Sequence, residues 1–580
     1  MLMITKDDVA NVLSELAIFM ELKGENPFKT RAYHAAARTI QAMTGDLKKI
    51  VEENRLEELP GIGKSIHEKI TELVMTGQLK YLEELKASFP PKLTELFEIP
   101  GLGPKKIKLL YEKLGVDSVE ALEKVCLEDR VAHIPTLGKK TQENILSRIS
   151  QRRTFSEKHR YGDVITLAEM LVDSLKKCSA VIRVSMAGSF RRGKEVVKDL
   201  DLLASSSHPK EVMDYFVTLP SVIEIVNHGD TKSSVLLEDG LACDLRVVSD
   251  KEYPYALHHF TGSKEHNIAM RHRAIERGMK MSEWGLFKIS NSKSNVVKEE
   301  ELIPCKTEEE VFNKLGLDYI PPELREDLGE IEAAEKHIIP KLIEWNDLLG
   351  TFHCHTTASD GRSSLQEMAE AAQALGLEYL GIADHSKAAF QANGLSEERL
   401  LNQIKEIKQW NQNSKKFQLL AGCEVDILKN GQLDFSDDIL KQLDYAVASV
   451  HNAFSQDETT MTQRIIQAVE NEHITFIGHL TGRLLLERDP YAVNVKKVIE
   501  ACAANDTWIE LNANPYRLDM DWRWWKLARD LGVKCVINPD AHHTSQLAFL
   551  RIGINIARKG WLRKQDVINT LPLKKIKEIL

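Results

Sequence analysis

Phe352-His353-Cys354-His355 ends a short apolar run, and the reading of that stretch decides the fold of the chain from about residue 349 onward. Five more runs end in the same way, at Gly381-Ile-Ala-Asp-His385, Gly422-Cys-Glu424, Ala448-Ser-Val-His451, Ile477-Gly-His479 and Pro539-Asp-Ala-His542. Each reads as a strand end, and helix-length segments separate the strands, so their side chains can converge on one mouth. With Asp360 these runs supply nine nitrogen and oxygen ligands: His353, His355, Asp360, His385, Glu424, His451, His479, Asp540 and His542. That set suits two or three zinc-like or manganese-like ions with shared carboxylates and room for bound water. Six such endings in succession are hard to reconcile with scattered core histidines. Cys354 lacks a partner at thiolate-zinc spacing and reads as a small packed side chain.

The order of these motifs resembles the PHP (polymerase and histidinol phosphatase) family of metal-dependent phosphoesterases, over about Leu349 to Leu573. The resemblance implies a distorted barrel of seven strands and seven helices, whose strands lead into His353, His385, Glu424, His451, His479, Asn514 and Asp540. It also implies one ion held by His353, His355, Glu424 and Asp540. A second would share Glu424 and take His451 and His479, and a third would use Asp360, His385 and His542. Every ligand position is filled.

At 580 residues the chain has room for about four domains of ~150 residues, or fewer if one is a barrel. Its composition, 43% hydrophobic and 28% charged, is that of a globular protein, and no apolar run approaches the ~20 residues of a membrane span. The first residues lack a basic region followed by an apolar core, and the eight cysteines contain no C-x-x-C pair. The expectation is a cytoplasmic protein with reduced thiols, not membrane-bound, and a monomer. The net charge of -9 hides an asymmetry: residues 101 to 200 carry an excess of about seven positive charges, and the region after residue 320 is negative by about seven.

The first 90 residues read as helices, with Leu59-Pro60-Gly61-Ile62-Gly63-Lys64 between two of them. This is a helix-hairpin-helix signature. Its glycines allow a tight turn whose backbone N-H groups, beside a helix N-terminus, can approach a nucleic-acid phosphate. Ile99-Pro100-Gly101-Leu102-Gly103-Pro104-Lys105-Lys106 repeats it with a basic pair. In Ile134-Pro135-Thr136-Leu137-Gly138 a threonine replaces the first glycine, so this copy is weaker and reads equally as a plain connector. Gly61, Gly63, Lys64, Gly101, Gly103 and Lys105 are therefore candidate contacts to a DNA backbone, which position a protein without reading sequence.

After Gln151-Arg152-Arg153 the periodicity changes. Ala180 to Met186 reads as a strand, followed by Gly188-Ser-Phe-Arg-Arg-Gly193 and Val197-Lys-Asp-Leu-Asp-Leu-Leu203. Strand side chains alternate, so Asp199 and Asp201 share one face and Leu200 and Leu202 the other. Ser234 to Glu238 and Leu241 to Val248 flank Asp239-Gly240, a strong hairpin signal that brings Asp244 near the pair on an antiparallel strand. Three crowded carboxylates need cations. With the preceding Gly188-Ser189, the arrangement resembles a nucleotidyltransferase palm.

Phe260-Thr-Gly262-Ser-Lys-Glu-His-Asn267, with Arg271 beyond it, looks like the nucleotide-binding segment of family X DNA polymerases, the polymerase beta group. Leu315 to Arg325 resembles that family's C-terminal end, so the whole chain is similar to a bacterial family X polymerase with an appended PHP domain. The resemblance implies a multidomain α/β and α+β protein. Its parts would be an N-terminal helix-hairpin-helix, lyase-like domain (1–90), a second DNA-binding or fingers module (91–150), the palm (151–250), the thumb (251–325), a tether (326–348) and the barrel (349–580). It implies two magnesium ions on Asp199 and Asp201, with Asp244 completing the ion that activates a primer hydroxyl. Gly188, Ser189 and Arg192 would meet the incoming triphosphate, with Phe260 and Gly262 in the nucleotide-binding segment. Asn267 and Arg271 would probe the minor-groove side, while Arg191 reads as solvated. His259 departs from the tyrosine many members carry beside the sugar. Lys69 occupies the position of a Schiff-base lysine, and Lys29 lies nearby; these two form a lyase site or bind a 5'-phosphate.

The leading functional expectation is a polymerase that fills short gaps in primed DNA with deoxyribonucleoside triphosphates during base excision repair, its barrel acting as a 3'-5' exonuclease. The alternatives give the barrel abasic-site cleavage or a small phosphate monoester, or make the chain a gap-binding scaffold without activity.

Overall fold

The computed structural model describes residues 5–43, 47–99, 101–289, 300–414 and 416–580; Pro100 of the second hairpin signature falls outside them. Two compact units divide the chain, Met1–Ser156 and Glu157–Leu580.

The first unit is helical. Thr5 opens the helix Lys6–Lys23 with a capping box to Asp8, and Gly24, at φ 89°, ends it. Asn26 then caps Pro27–Ala42. Leu13, Leu16, Ile40, Ile70, Leu85, Leu110 and Leu122 meet in one core. Both strong hairpin signatures form the expected turns: Gly61 and Gly101 take φ of 78° and 88°. Gly63 and Gly103 are the N-caps of the helices Lys64–Thr76 and Pro104–Leu114. The weaker third copy also turns at a left-handed glycine, Gly138, which begins the helix Gly138–Ser156.

The second unit begins with a five-stranded sheet in the order Arg183–Met186, Asp199–Ser205, Ala242–Val248, Lys232–Leu237, Val222–His228. Asp199–Ser205 and Ala242–Val248 run parallel, and the other pairings are antiparallel. Asp239 and Gly240, at φ 58° and 72°, make the tight turn their sequence called for. Helices Tyr161–Leu175 and Pro209–Val217 pack Leu171, Leu175, Val212 and Phe216 into the same core as Leu200, Leu202 and Leu245. A three-stranded sheet, Met279–Ser282, Gly285–Ile289 and Glu300–Leu302, follows the helices Tyr253–Thr261 and Lys264–Glu276.

Seven parallel strands then pair in sequence order: Gly350–Cys354, Tyr379–Ile382, Gln418–Asp426, Tyr445–Ser449, Phe476–Ile477, Trp508–Asn512 and Cys535–Asn538. A parallel bridge from Cys354 to Ala541 brings the last strand back to the first, so the sheet nearly closes. Phe352, Tyr379, Tyr445 and Phe476 form a buried aromatic cluster. Gly381 and Gly422 make room for it, because a Cβ at either would collide with the Tyr445 ring or hydroxyl.

Residues 326–348, expected as a tether, are packed along the unit. Leu342 and Ile343 are buried, and the Ile343 N-H donates to the Leu562 carbonyl. Buried Glu330 accepts from the Asp327 and Leu328 N-H groups and faces His266 Nδ1 at 2.6 Å. Of the segment's charged residues, Glu326 and Glu330 are satisfied inside, whereas Asp327, Glu332, Glu335, Lys336, Lys341 and Glu344 are exposed. Arg191, expected to be solvated, is half-buried and paired: it donates to both oxygens of Glu308 and to Thr261. Arg325 donates to the same Glu308 at 2.6 Å.

Burial favours the neutral Glu308 carboxyl, but Arg325 and Arg191 outweigh it and hold the group at about 2. Its contribution to stability is therefore complete above the ordinary carboxylate value of 4.5 and is lost as pH falls through about 2. Glu308→Ala leaves two guanidiniums without their carboxylate and should cost about 3 kcal/mol in urea unfolding. The variant should also lose less stability than the parent between pH 5 and 2.

Candidate active sites

Three carboxylates meet on the five-stranded sheet. Asp199 and Asp201 lie on the outward face of their strand, while Leu200 and Leu202 are buried behind them. Asp244 lies on the antiparallel strand of the expected hairpin, Lys232–Leu237 with Ala242–Val248, and is the register partner of Asp201 on the adjoining parallel strand. Burial pushes the Asp201 carboxyl up to about 6, and Asp199 and Asp244 add to the shift. Asp199 is raised by burial and by Asp244. Lys232, which the sequence did not single out, lies 2.7 Å from Asp244. A mutually repelling trio served by one partly exposed ammonium is a donor set suited to divalent cations.

The short helix Gly188–Arg191 abuts this trio. Gly188 has φ 59°, and a Cβ there would collide with Asp201 Oδ2, so no other residue fits. Ser189 sits beside it, half-buried. Arg192 follows; its Nε donates to Glu326 at 3.0 Å and its Nη1 to the Thr261 carbonyl at 2.8 Å. Gly262 packs against Asn267, whose side-chain amide donates to the His259 and Gly262 carbonyls. Arg271 Nη2 is 3.4 Å from His259 Nδ1. Phe260 stacks under the Arg246 guanidinium at 4.7 Å.

At the barrel mouth all nine expected ligands converge. Their ligand atoms form four overlapping groups: His355, Asp360, His385 and His542; His353, His355 and Asp540; His353, Glu424 and His479; His385, Glu424 and His451. His355 and His385 thus each face a second group beyond the partition the resemblance implied. The cavity at this mouth holds about 540 Å³ and is edged by Phe390, Tyr516 and Arg517. His353, His479 and Asp540 all have positive φ, of 53°, 23° and 50°, and such backbone costs about 1–3 kcal/mol a residue unless its surroundings enforce it. His353 Nε2, both nitrogens of His355, and Nδ1 of His385 and His479 are buried without hydrogen-bond partners. Ring nitrogens left bare among carboxylates are what metal ligands require.

In the helical unit, the space beyond Gly61, Gly63, Gly101 and Gly103 is open. Lys64 begins its helix exposed, and Lys105 is 84% exposed with Glu21 at 3.9 Å. Lys29 is exposed beside Glu25. Lys69 is half-buried, bonded to Ser65 and 5.3 Å from the Tyr81 ring centroid.

Family models match four stretches: a helix-hairpin-helix domain over 4–79, a SAM-like helix-hairpin-helix tandem over 93–150, the DNA polymerase beta thumb over 256–326 and the PHP domain over 351–514. A Bacillus subtilis (strain 168) protein, DNA polymerase/3'-5' exonuclease PolX, is 39% identical over 577 residues, covering 99% of each chain. The chain belongs to the PolX family. More distant similarity reaches DNA polymerase lambda of Arabidopsis thaliana, 24% identical over 343 residues, with 55% of this chain and 61% of that one covered. DNA polymerase lambda of Rattus norvegicus is 26% identical over 313 residues, covering 50% and 52%.

At the barrel mouth, Glu510 is a site residue that the motifs missed. It lies fully buried on the strand Trp508–Asn512, 2.5 Å from His353 Nδ1, and accepts from the His479 N-H and from Asn512 and Asn538. Its signal was a glutamate alternating with Ile509 and Leu511 in the short run Trp508-Ile-Glu-Leu-Asn512. By holding Nδ1, Glu510 aims Nε2 of His353 into the mouth and raises its basicity. Asp426 stands in the same relation to His451, at 3.2 Å. Glu510→Gln should lower metal affinity of the barrel by about 10- to 100-fold, measured by titration of the stripped protein with manganese. Unchanged affinity would leave Glu510 a packing residue.

Proposed function

We propose that the chain is a DNA polymerase that fills short gaps, in the manner of base excision repair, and trims 3'-ends with its barrel. One observation carries this: two separate clusters of divalent-metal donors, three carboxylates on a palm-like sheet and nine ligands at a barrel mouth, share no residue. The full-length similarity to a protein named for both activities supports assigning one to each.

In this reading Asp199 and Asp201 hold two magnesium ions and Asp244 completes the one facing the primer end. Ser189 and Arg192 grip the triphosphate, for which a guanidinium fork fits better than an ammonium. Phe260 and Gly262, at the end of the helix Tyr253–Thr261, seat the nucleotide, and Asn267 and Arg271 lie against the nascent pair. The barrel takes two or three manganese or zinc ions. His353, His355, Glu424 and Asp540 form one set, His451 and His479 share Glu424 in another, and Asp360, His385 and His542 form the third. Held by these residues, ions at both sites would supply a lowered pKa for the attacking oxygen and neutralisation of charge on the phosphate. The hairpin glycines with Lys64 and Lys105 hold the DNA backbone, and Lys29 and Lys69 meet the 5'-side of the gap. The eight cysteines are all free, which supports a reducing, cytoplasmic setting. The same reading keeps the boundaries 1–90, 91–150, 151–250, 251–325, 326–348 and 349–580, and a monomer.

Separation of the two activities tests the proposal. On a labelled gapped duplex, Asp199→Ala with Asp201→Ala should cut nucleotide addition by about a thousandfold or more, because charge stabilisation worth several kcal/mol is lost. Shortening of the 3'-end should persist. His353→Ala with His355→Ala should do the reverse, with circular dichroism checking that the barrel stays folded. A folded histidine variant that still shortens DNA at the parent rate would remove the nuclease from the barrel.

DNA binding gives an independent measurement. Lys64→Glu with Lys105→Glu should weaken gapped-duplex binding and reduce the slope of log affinity against log salt by about one for each phosphate no longer neutralised. Equal affinity for gapped and intact duplex would count against the hairpins. On a gap bearing a 5' abasic sugar, borohydride trapping that disappears in Lys69→Ala would make Lys69 a lyase nucleophile, and no trapping would leave it a phosphate contact.

A further inference from the structure

Arg192 does not stand alone beside the palm carboxylates. Its Nε shares one oxygen of Glu326 with Lys559, which lies 2.7 Å away at the end of the barrel helix Leu550–Lys559. Lys194 approaches the other oxygen at 3.9 Å. Lys559 is wholly buried, with its ammonium 4.4 Å from the Trp522 ring centroid, and it also donates to the main-chain carbonyls of Arg192 and Glu323. A lysine out of water is costly to keep charged, and desolvation does draw its pKa down to about 8. The ammonium is therefore held there by what it contacts: Glu326, the Trp522 ring, the Glu323 carbonyl and the carbonyl of Arg192, the residue that follows the Gly188–Arg191 helix.

From this we infer that Lys559 of the barrel is a positioning residue for nucleotide binding in the polymerase site. Glu326 competes with a triphosphate for the Arg192 guanidinium. Lys559 takes part of that carboxylate's charge and one of its lone pairs, so Arg192 is held loosely enough to turn to phosphate, while the bond to the Arg192 carbonyl fixes the main chain from which the side chain swings. Without Lys559 the Arg192–Glu326 pair tightens and the triphosphate must break it. The barrel thereby sets the nucleotide affinity of a site to which it contributes no ligand. This inference rests on reading Arg192 as a triphosphate contact.

The test is steady-state filling of a one-nucleotide gap by the full-length protein over a range of deoxyribonucleotide concentrations. Lys559→Met should raise KM for the nucleotide about tenfold, within the usual range of coupling between sites. Its kcat should hold, because the grip of Arg192 on the triphosphate is common to ground and transition states. Glu326→Gln should lower KM about fivefold by releasing Arg192. The double variant should return toward the parent, and Lys559→Arg should rescue in part. Shortening of a single-stranded 3'-end by Lys559→Met reports that the barrel remains folded. A Lys559→Met variant with the parent KM, or a double variant no better than the single, overturns the inference. If Lys559→Met does not fold, Glu326→Gln decides alone: an unchanged or higher KM overturns it. Arg192→Ala separates the two claims. A raised KM there with an unchanged Lys559→Met discards only the coupling, whereas an unaffected Arg192→Ala discards the triphosphate reading beneath it.

Discussion

Glu424 faces five imidazoles. His385 and His479 lie 2.9 Å from its oxygens, His451 3.2 Å, His353 3.3 Å and His355 3.7 Å. Burial would favour the neutral carboxyl, yet His451, His353 and His385 hold it well below the ordinary range. So dense a set cannot be brought together by one segment of chain, because consecutive residues on a strand point to opposite faces and only a few can aim at one spot. It needs several strand ends arranged in a ring, which is what the nearly closed barrel supplies. The small residues Gly381 and Gly422, the large rings of Tyr379 and Tyr445 and the strained backbone at His353 and Asp540 follow from that demand: the ring must close tightly enough for its ends to meet.

The palm solves the same electrostatic problem with fewer parts. Adjacent parallel strands set Asp201 opposite Asp244, and alternation adds Asp199. Here the outward face is open, and the repulsion is answered by Lys232 and by exposure rather than by a shell of histidines. A barrel mouth is walled and must carry its counter-charge internally. A sheet face can leave it to what arrives.

Much of this was legible in the sequence because it is written in short-range code. Asp239-Gly240 dictates a turn, Asp199-x-Asp201 dictates a shared face, and a histidine ending an apolar run marks a strand mouth. What stayed hidden depends on partners distant along the chain. Arg191 looked solvated because nothing nearby in sequence announces Glu308, 117 residues away. Glu510 was passed over because a carboxylate that touches His353 from behind carries no spacing signature. Residues 326–348 looked like a spacer because their charges are many, and only the fold reveals that Glu326 and Glu330 are satisfied inside it. The overlap of ligand groups at His355 and His385 is likewise a matter of three-dimensional proximity that motif order does not encode.

The aromatic cluster beneath the barrel mouth has a bearing on traffic. Phe352, Tyr379, Tyr445 and Phe476 are all buried, with the Phe352 and Tyr445 ring centroids 5.1 Å apart, so the strands surround a packed floor and not a tunnel. The ligands are therefore reached from the mouth side of this floor.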